Sequence, residues 1–259
     1  MAEPTSNCKA QAAVEKAIRD WEEKGDTTAV LVIDVYSDTL LTIPYIPDNV
    51  QSLSLRGNII HLPRLPGTLH SLDLNIYTSI TFATGLPTGL IRLSCWGSCI
   101  DLPELPNGLK NLSINTDAKV LPQLPPQLEV LDIAWSHITE LPPALPASLR
   151  ILNCNSSGVS HIIALPPALH TLCCDETALI SLPTLPSTLK RLSCAESRLE
   201  SLPDLPPQLE YLHCPCNNLT ALPHLPASLK ELTICGNNIT VYPNYVEGLD
   251  IINDSDMEN

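Results

Sequence analysis

Residues 182–240 read LPTLPSTLKRLSCAESRLESLPDLPPQLEYLHCPCNNLTALPHLPASLKELTICGNNIT. This stretch contains three copies of one pattern. Leu189, Leu209 and Leu229 occupy equivalent positions in consecutive units of 20 residues. The pattern extends over most of the chain, and self-similarity with a period of about 20–50 residues is typical of solenoids and propellers. The equivalent residues of the eleven units are Val30, Val50, Leu69, Leu90, Leu109, Leu128, Leu149, Leu169, Leu189, Leu209 and Leu229.

The residue types within one unit predict its local structure. Leu192 and Cys194 alternate with polar or small neighbours, and this period of two indicates a short strand with one buried face. The LPxLP segment cannot be helical, because proline lacks a donor and holds the preceding residue extended. We therefore expect it to return along the opposite side as an extended or polyproline-like segment. A single unit buries little, so the units must stack, which predicts a right-handed solenoid with a parallel sheet on its concave face.

Stacking places equivalent side chains of the units in columns. The first buried column is Ile33, Leu53, Leu72, Leu93, Leu112, Leu131, Leu152, Leu172, Leu192, Leu212 and Leu232. The second is Val35, Leu55, Leu74, Cys95, Ile114, Ile133, Cys154, Cys174, Cys194, Cys214 and Ile234. A third column, expected to bond loop backbone, is Asp38, Asn58, Tyr77, Ser98, Asp117, Ser136, Ser157, Thr177, Ser197, Asn217 and Asn237. Because only three of these are Asn, which both donates and accepts, we expect a looser loop edge in the middle units.

The ends of the chain depart from the repeat. Residues 8–24 are rich in helix formers, with an apolar stripe of Val14, Ile18 and Trp21 before Gly25, which predicts a helix that caps the first strand. The repeat fades after Pro243, where Leu249 and Ile252 suggest a degenerate last strand. The predicted organisation is a leader and capping helix over 1–28, the repeat array over 29–243, and a C-terminal cap and acidic tail over 244–259.

Composition and charge narrow the classes of function. The 259 residues include 28 acidic and 14 basic side chains, giving a formal net charge of −14. Phosphate backbones and anionic lipids repel such a chain, which argues against nucleic-acid and membrane-surface binding. We find no apolar run of about 18 residues and no basic leader followed by an apolar segment, so we expect neither a transmembrane helix nor a Sec-type signal peptide.

The ten cysteines raise the question of a metal site or a reactive thiol. Five of them share the second buried column, where a thiol packs as a small apolar group. The group Cys214, Cys216 and Cys235 offers soft ligands, but alternation turns Cys214 inward and His213 outward, which opposes a shared tetrahedral site. Cys173-Cys174-Asp175 spells Cys-x-Asp without an adjacent histidine base in its strand. We predict no catalytic, cofactor-binding or metal-binding residue, and any redox or metal role of the Cys214 group stays open.

Side chains at the outward positions of the strands do not pack in the core, so the residue types found there indicate what the surface can bind. Exposed tryptophan beside arginine and aliphatic side chains is typical of a binding hot spot, while single exposed apolar residues are also common on ordinary surfaces. Two clusters on the concave face are predicted to bind a partner protein. They are Arg92, Trp96, Val130, Trp135 and Ile151, and Arg191, Tyr211 and His213.

The repeat resembles the bacterial subclass of leucine-rich repeats, of the kind found in the YopM and IpaH/SspH type III secreted effectors. The units LPDLPPQLEYLHCPCNNLTA and LPHLPASLKELTICGNNIT follow its LPxLPxxLxxLxxxxNxLxxLP signature, and the resemblance covers roughly residues 10–243. It implies a leucine-rich repeat solenoid that binds host or substrate proteins after secretion. The IpaH/SspH branch adds a helical ubiquitin-ligase domain with a Cys-x-Asp nucleophile, and this chain ends 16 residues after Pro243, too soon for such a domain.

Three functional hypotheses follow. In the first, the chain is a non-catalytic virulence effector that is secreted from the bacterial cytoplasm into the host cytoplasm and binds host proteins on its concave face. In the second, it is the substrate-recognition half of an IpaH/SspH-like E3 ubiquitin ligase. In the third, it is a cytoplasmic leucine-rich repeat interaction protein unrelated to secretion. Nothing in the sequence identifies the partner or the oligomeric state.

Overall fold

The computed structural model describes residues 6–35, 41–97, 102–115, 117–240, 243–244 and 246–253. It divides into two compact units. Unit 1 comprises Met1–Asp117 and Pro122–Leu128, and unit 2 comprises Ala118–Leu121 and Glu129–Asn259. The predicted residues Asp38 and Ser98 lie outside the described part, as does the tail after residue 253.

Unit 1 begins with helix α1, Ser6–Lys24, which caps strand β1, Leu31–Val35. The helix buries Val14, Ile18 and Trp21 on one face, and the Trp21 indole N–H donates to the Ala29 carbonyl at 3.1 Å. Gly25 follows with φ +64°, a left-handed conformation that glycine adopts without steric cost at a helix C-terminus. The predicted N-terminal cap and its end are confirmed.

The strands of unit 1 form a parallel sheet. Leu53, Leu72, Leu93 and Leu112 lie side by side across it and are buried, as the repeat predicted. After β1, in sheet order, these strands are β3 (Ser52–Gly57), β5 (Ser71–Ile76), β7 (Arg92–Trp96) and β8 (Asn111–Asn115).

The first strand has a different register from the one predicted. Leu31 pairs with Leu53 and Ile33 with Leu55, so Ile33 stands in the second column and Leu31 in the first. Val30 is 50% exposed and is not equivalent to the buried Val50. The error has a physical origin: strand side chains repeat every two residues, so a two-residue shift leaves the same apolar residues facing inward.

A second, three-stranded parallel sheet in unit 1 was not predicted. It consists of β2 (Leu41–Thr42), β4 (Ile59–Leu62) and β6 (Thr81–Phe82), which lie on return segments expected to be extended or polyproline-like. These three strands contain no proline and are rich in β-branched residues, so their N–H groups are available for a ladder. The Leu-Pro segments of other repeats lack donors at the proline positions.

Unit 2 contains seven parallel strands, six of which bury a central leucine between two outward-facing residues. Leu131, Leu152, Leu172, Leu192 and Leu212 stack in register, which confirms the first column here. Ile251, between the two residues expected to mark the last strand, pairs with Leu232. The strands are β9 (Val130–Asp132), β10 (Ile151–Asn153), β11 (Thr171–Cys173), β12 (Arg191–Ser193), β13 (Tyr211–His213), β14 (Glu231–Thr233) and β15 (Asp250–Ile252).

The Pro-containing segments end in tight turns that lead into the strands. The backbone N–H of Leu189 donates to the Pro186 carbonyl at 3.0 Å, and that of Leu209 to Pro206 at 3.1 Å. Such an i to i+3 bond closes a β-turn, which begins at a proline and ends at the leucine before the strand.

The hydroxyl and amide side chains of the third column make different hydrogen bonds. Ser157 Oγ donates to the Cys154 carbonyl within its own repeat at 2.6 Å. Asn217 Nδ2 donates to the carbonyl of Cys194 in the preceding repeat at 2.8 Å, and its Oδ1 accepts from the Leu199 N–H at 3.0 Å. Ser197 also joins neighbouring repeats, since its Oγ donates to the Cys174 carbonyl at 3.3 Å, but the amide of Asn217 offers separate donor and acceptor groups for its two bonds. Tyr77 is 55% exposed, so its predicted place in this column is wrong.

Candidate functional site

The strands of unit 2 place five predicted partner-binding residues on the outward face of the sheet. Val130, Ile151, Arg191 and Tyr211 are the first residues of β9, β10, β12 and β13, and His213 ends β13. Ile151 pairs with Val130, and Tyr211 with Arg191. The register thus brings these residues together in two neighbouring pairs, and their role in binding stays a prediction.

Arg92 and Trp96 lie at the two ends of β7 in unit 1. Arg92 is exposed, and Trp96 is 38% exposed with its indole N–H donating to Ser94 Oγ at 2.8 Å. This bond fixes the ring over its own strand and occupies its only donor. The predicted first cluster is divided between the two units, since its other members, Val130, Trp135 and Ile151, belong to unit 2.

Trp135 follows β9 and is the most unusual residue of the face. Its side chain is 63% exposed and its backbone has a φ of +60°. A left-handed conformation costs an L-residue about 1–2 kcal/mol, and a bulky residue there is a true outlier. Its N–H donates to the Asn155 carbonyl at 2.9 Å, which extends the ladder beyond the strand.

The left-handed turn recurs in the following repeats of unit 2. Glu176 and Glu196 have φ values of +53° and +48°, and the Glu176 N–H donates to the Ala195 carbonyl at 2.8 Å. The backbone bond explains why the strained conformation is kept, while the side chain remains without a packing role. Sequence reasoning missed this row, although Gly236 in the same position was a signal for it. The row is Trp135, Ser156, Glu176, Glu196, Cys216 and Gly236.

Arg191, Tyr211 and His213 line a recess of about 350 Å³ on the face between β11 and β14. The Arg191 guanidinium carbon lies 3.8 Å from the centre of the Tyr211 ring, a cation–π contact. Glu231 also lines the recess, and beside it Glu210 forms ion pairs with Lys230 and, at 3.8 Å, with Lys190. The predicted second cluster is therefore a real spatial group.

The Cys173-Cys174-Asp175 sequence lacks the environment of a nucleophile. Burial and the nearby Asp175 carboxylate raise the pKa of the Cys173 thiol, which disfavours the reactive thiolate. Asp175 accepts hydrogen bonds from Ser193 Oγ and the Ala195 N–H, both at 2.7 Å, and from Asn155 Nδ2 at 3.0 Å. This carboxylate joins three repeats and has a structural role.

The remaining cysteines fall into buried and accessible groups. Cys154 and Cys174 are fully buried, and each thiol lies 3.3 Å from a strand carbonyl. Cys214 is buried, Cys216 is exposed and Cys235 is half-buried. Within the described ranges, no group of three His, Cys, Asp or Glu side chains could hold a metal ion. Nor does any helix in that part of the chain have the length and apolar character to cross a membrane.

Tandem repeats that each combine a short parallel strand, a leucine core and an extended return define a leucine-rich repeat protein, a class of binding scaffold. The fold is similar to that of YopM from Yersinia enterocolitica, at 30% sequence identity and a TM-score of 0.73 over 86% of this chain and 55% of that one. The array is thus of the bacterial, YopM-like type.

Two further structures share the fold. The leucine-rich repeat protein LIC12759 of Leptospira interrogans is 20% identical, with a TM-score of 0.54 over 74% of this chain and 57% of that one. InlP of Listeria monocytogenes is 17% identical, with a TM-score of 0.54 over 91% and 73%. The chain spans just over half the length of the YopM and Leptospira structures. No protein-family profile and no curated protein sequence matches the chain.

Proposed function

We propose that this chain is a non-catalytic bacterial effector that binds a host cytosolic protein on the outward face of its sheet. The observation that carries the proposal is the exposed tryptophan at position 135. Its left-handed conformation is shared by Ser156, Glu176, Glu196 and Cys216 and belongs to the repeat, so it is the presence of a tryptophan at this exposed position that points to binding. Exposed tryptophan is also the residue type most enriched in interface hot spots.

Other residues of the same strands support a protein partner. Ile151 is 38% exposed and Val130 half-buried, so apolar surface is available at the starts of β9 and β10, the opposite strand ends from Trp135. Asp132 accepts from the Ala134 N–H at 3.1 Å, and Asn153 from the Asn155 N–H at 3.2 Å. The first bond stiffens the turn that carries Trp135, and the second stiffens the neighbouring turn, whose Asn155 carbonyl accepts from the Trp135 N–H. A rigid anchor loses little conformational freedom on binding.

The test is site-specific photocrosslinking in a eukaryotic cell lysate. A benzoylphenylalanine is placed at Trp135 in one variant and at Ile180 in a matched control. Ile180 is equally exposed, at 63%, but lies away from the strands. We expect one discrete protein adduct at position 135. Excess wild-type chain should abolish this adduct by competition, whereas excess Trp135→Ala chain should not. Equal adducts at both positions, or none at 135, would contradict the proposal.

The secretion part of the proposal is supported by the similarity to YopM and requires its own test. The chain is fused to a reporter enzyme that is active only in host cytoplasm and is expressed in bacteria with and without type III secretion. We expect reporter activity in host cells only with the secretion system, and loss of that activity when the leader before helix α1 is deleted. Absence of transfer would favour the cytoplasmic interaction protein.

A further inference from the structure

Two cysteines of neighbouring repeats lie side by side beyond the ends of strands β13 and β14. Cys216 belongs to the left-handed row, and its N–H donates to the Cys235 carbonyl at 2.8 Å. The pairing of His213 with Thr233 places Cys235 opposite Pro215, one position from Cys216. Because neighbouring strands lie about 4.8 Å apart, this offset puts the two Cα atoms at about 6 Å, within the range of about 4.4–6.8 Å found in disulfides.

The two thiols are accessible, and the side chain of Cys216 is directed towards the next repeat. Ile234 is buried, so alternation turns the half-buried Cys235 to the outward side. A side chain at Gly236 would meet the Cys216 Sγ at 3.0 Å. The Cys216 thiol therefore occupies the space that this glycine leaves open, directly beside Cys235. Cys216 is exposed, so a dissolved reagent can reach its sulfur.

The amide ladder fixes the turns that carry the two cysteines. Asn237 Nδ2 donates to the carbonyl of Cys214 in the preceding repeat at 2.9 Å, and its Oδ1 accepts from the Leu219 N–H at 3.1 Å. These two bonds join the segment that contains Cys216 to the segment that contains Cys235. Two groups that are held together in this way react as if each were highly concentrated around the other.

We propose that Cys216 and Cys235 are a redox modification site, at which a low-molecular-weight disulfide such as oxidised glutathione forms a reversible disulfide between two repeats. The Cys216 thiolate attacks one sulfur of the reagent, the S–S bond of the reagent breaks, and one glutathione thiolate leaves. The Cys235 thiolate then attacks the Cys216 Sγ, the mixed disulfide breaks, and the second glutathione leaves. The two thiol protons pass to the two glutathione thiolates, so the cysteine pair loses two electrons and the reagent gains them.

The other described cysteines do not combine accessibility with a nearby accessible thiol. The thiols of the second column are buried, and Cys214 is among them, so it is shielded although it lies two residues from Cys216. Burial and the Asp175 carboxylate raise the pKa of the Cys173 thiol. The pair also has a mechanical consequence. Only β15 follows β14 in the sheet, so a disulfide between Cys216 and Cys235 would fasten the repeats close to its last strand.

The experiment equilibrates the full chain in mixtures of oxidised and reduced glutathione, blocks the remaining thiols with iodoacetamide, and quantifies tryptic peptides by mass spectrometry. Trypsin cleaves after Arg198 and Lys230, so Cys216 lies in peptide 199–230 and Cys235 is the single cysteine of peptide 231–259. We expect these peptides to be linked within one chain, with an effective concentration at least about tenfold higher in buffer than in concentrated urea. Cys216→Ser and Cys235→Ser should each abolish the link. Cys173→Ser, which removes another half-buried thiol, is the matched control and should retain it.

Three results would overturn the inference: glutathione on both cysteines without a link between the peptides, an effective concentration no higher in buffer than in urea, or a link that persists in Cys216→Ser through Cys214. Circular dichroism confirms that each variant is folded. Hydrogen exchange gives a second readout, because a disulfide that folding favours must suppress opening of the repeats by the same factor. Exchange of the Cys216 N–H should therefore slow at least about tenfold on oxidation, and an unchanged rate would also overturn the inference. The inference is independent of the partner that the crosslink at Trp135 tests.

Discussion

The left-handed conformation of Trp135 can be tested by comparing two substitutions at that one position. Trp135→Ala and Trp135→Gly both remove the indole and whatever area it covers, so their difference in the free energy of unfolding reports on the backbone alone. At an ordinary extended or helical position, Gly is less stable than Ala by about 0.5–1 kcal/mol, because the unfolded chain gains freedom. At φ +60°, the alanine also carries the strain of a left-handed L-residue.

The expected magnitude follows from these two opposing effects. Relief of the left-handed conformation contributes about 1–2 kcal/mol in favour of glycine, and the added freedom of the unfolded chain removes about 0.5–1 kcal/mol of it. Trp135→Gly should therefore be more stable than Trp135→Ala by up to about 1.5 kcal/mol. The sign of the difference is the decisive quantity, since it is the reverse of the usual order.

The assay is urea unfolding followed by far-ultraviolet circular dichroism, which does not depend on the removed tryptophan. Ile151 provides the control, because it is exposed on the same face in ordinary strand geometry. Ile151→Gly should be less stable than Ile151→Ala by about 0.5–1 kcal/mol. If the Gly variant is also the less stable one at Trp135, the residue is not strained and the argument that selects it as a binding anchor is refuted.

Three further predictions concern other parts of the array. In urea unfolding, Asn217→Ala should lower the free energy of unfolding by about 2–3 kcal/mol, because the buried Leu199 N–H loses its acceptor. Ser157→Ala removes a bond within one repeat and should lower it by about 1 kcal/mol. Equal losses would contradict the role of Asn217 in joining neighbouring repeats. Gly97→Ala should prevent native folding of unit 1 as judged by proteolysis, because a Cβ there would overlap a carbonyl oxygen at 1.7 Å, whereas Gly67→Ala has open space and should fold. Burial raises the pKa of the Cys154 thiol from 9.0 to about 12, so its contribution to stability is complete below pH 9 and is lost as pH rises towards 12. Cys154→Ala should lessen the alkaline loss by about 1 kcal/mol at pH 10 in urea titrations, and an unchanged pH dependence would contradict the burial.

The repeat period predicted most of the fold, because every unit of a stacked array needs apolar residues at the same buried positions. Leu72 in unit 1 and Leu172 in unit 2 are each buried in the first column of their own unit, as the repeat spacing required. The register of β1 could not be obtained in this way. Strand β1 has helix α1 instead of another repeat on one side, so the repeat pattern does not determine its register. Both placements of Leu31 and Ile33 satisfy the alternation of inward and outward side chains.

The candidate site was only partly predictable. Alternation along a strand predicts which residues face outward, and Arg191 and Tyr211 were placed correctly because they begin neighbouring strands. Alternation does not predict how two long side chains pack against each other, so only the structure reveals that Arg191 stacks on Tyr211. Alternation applies only within a strand, so it did not predict the left-handed backbone conformation of Trp135, which follows β9.

The row of left-handed residues is a second surface on which this array can vary. Its backbone N–H groups complete the ladder between repeats, so the main chain is constrained while the side chain is not. Gly236 shows that the array accepts the least strained residue at this position, and Glu176 and Glu196 show that it accepts charge. Stability alone would favour glycine throughout. A tryptophan at 135 is therefore not explained by folding, and its exposure just beyond the end of β9 is the strongest physical reason to search for the partner there.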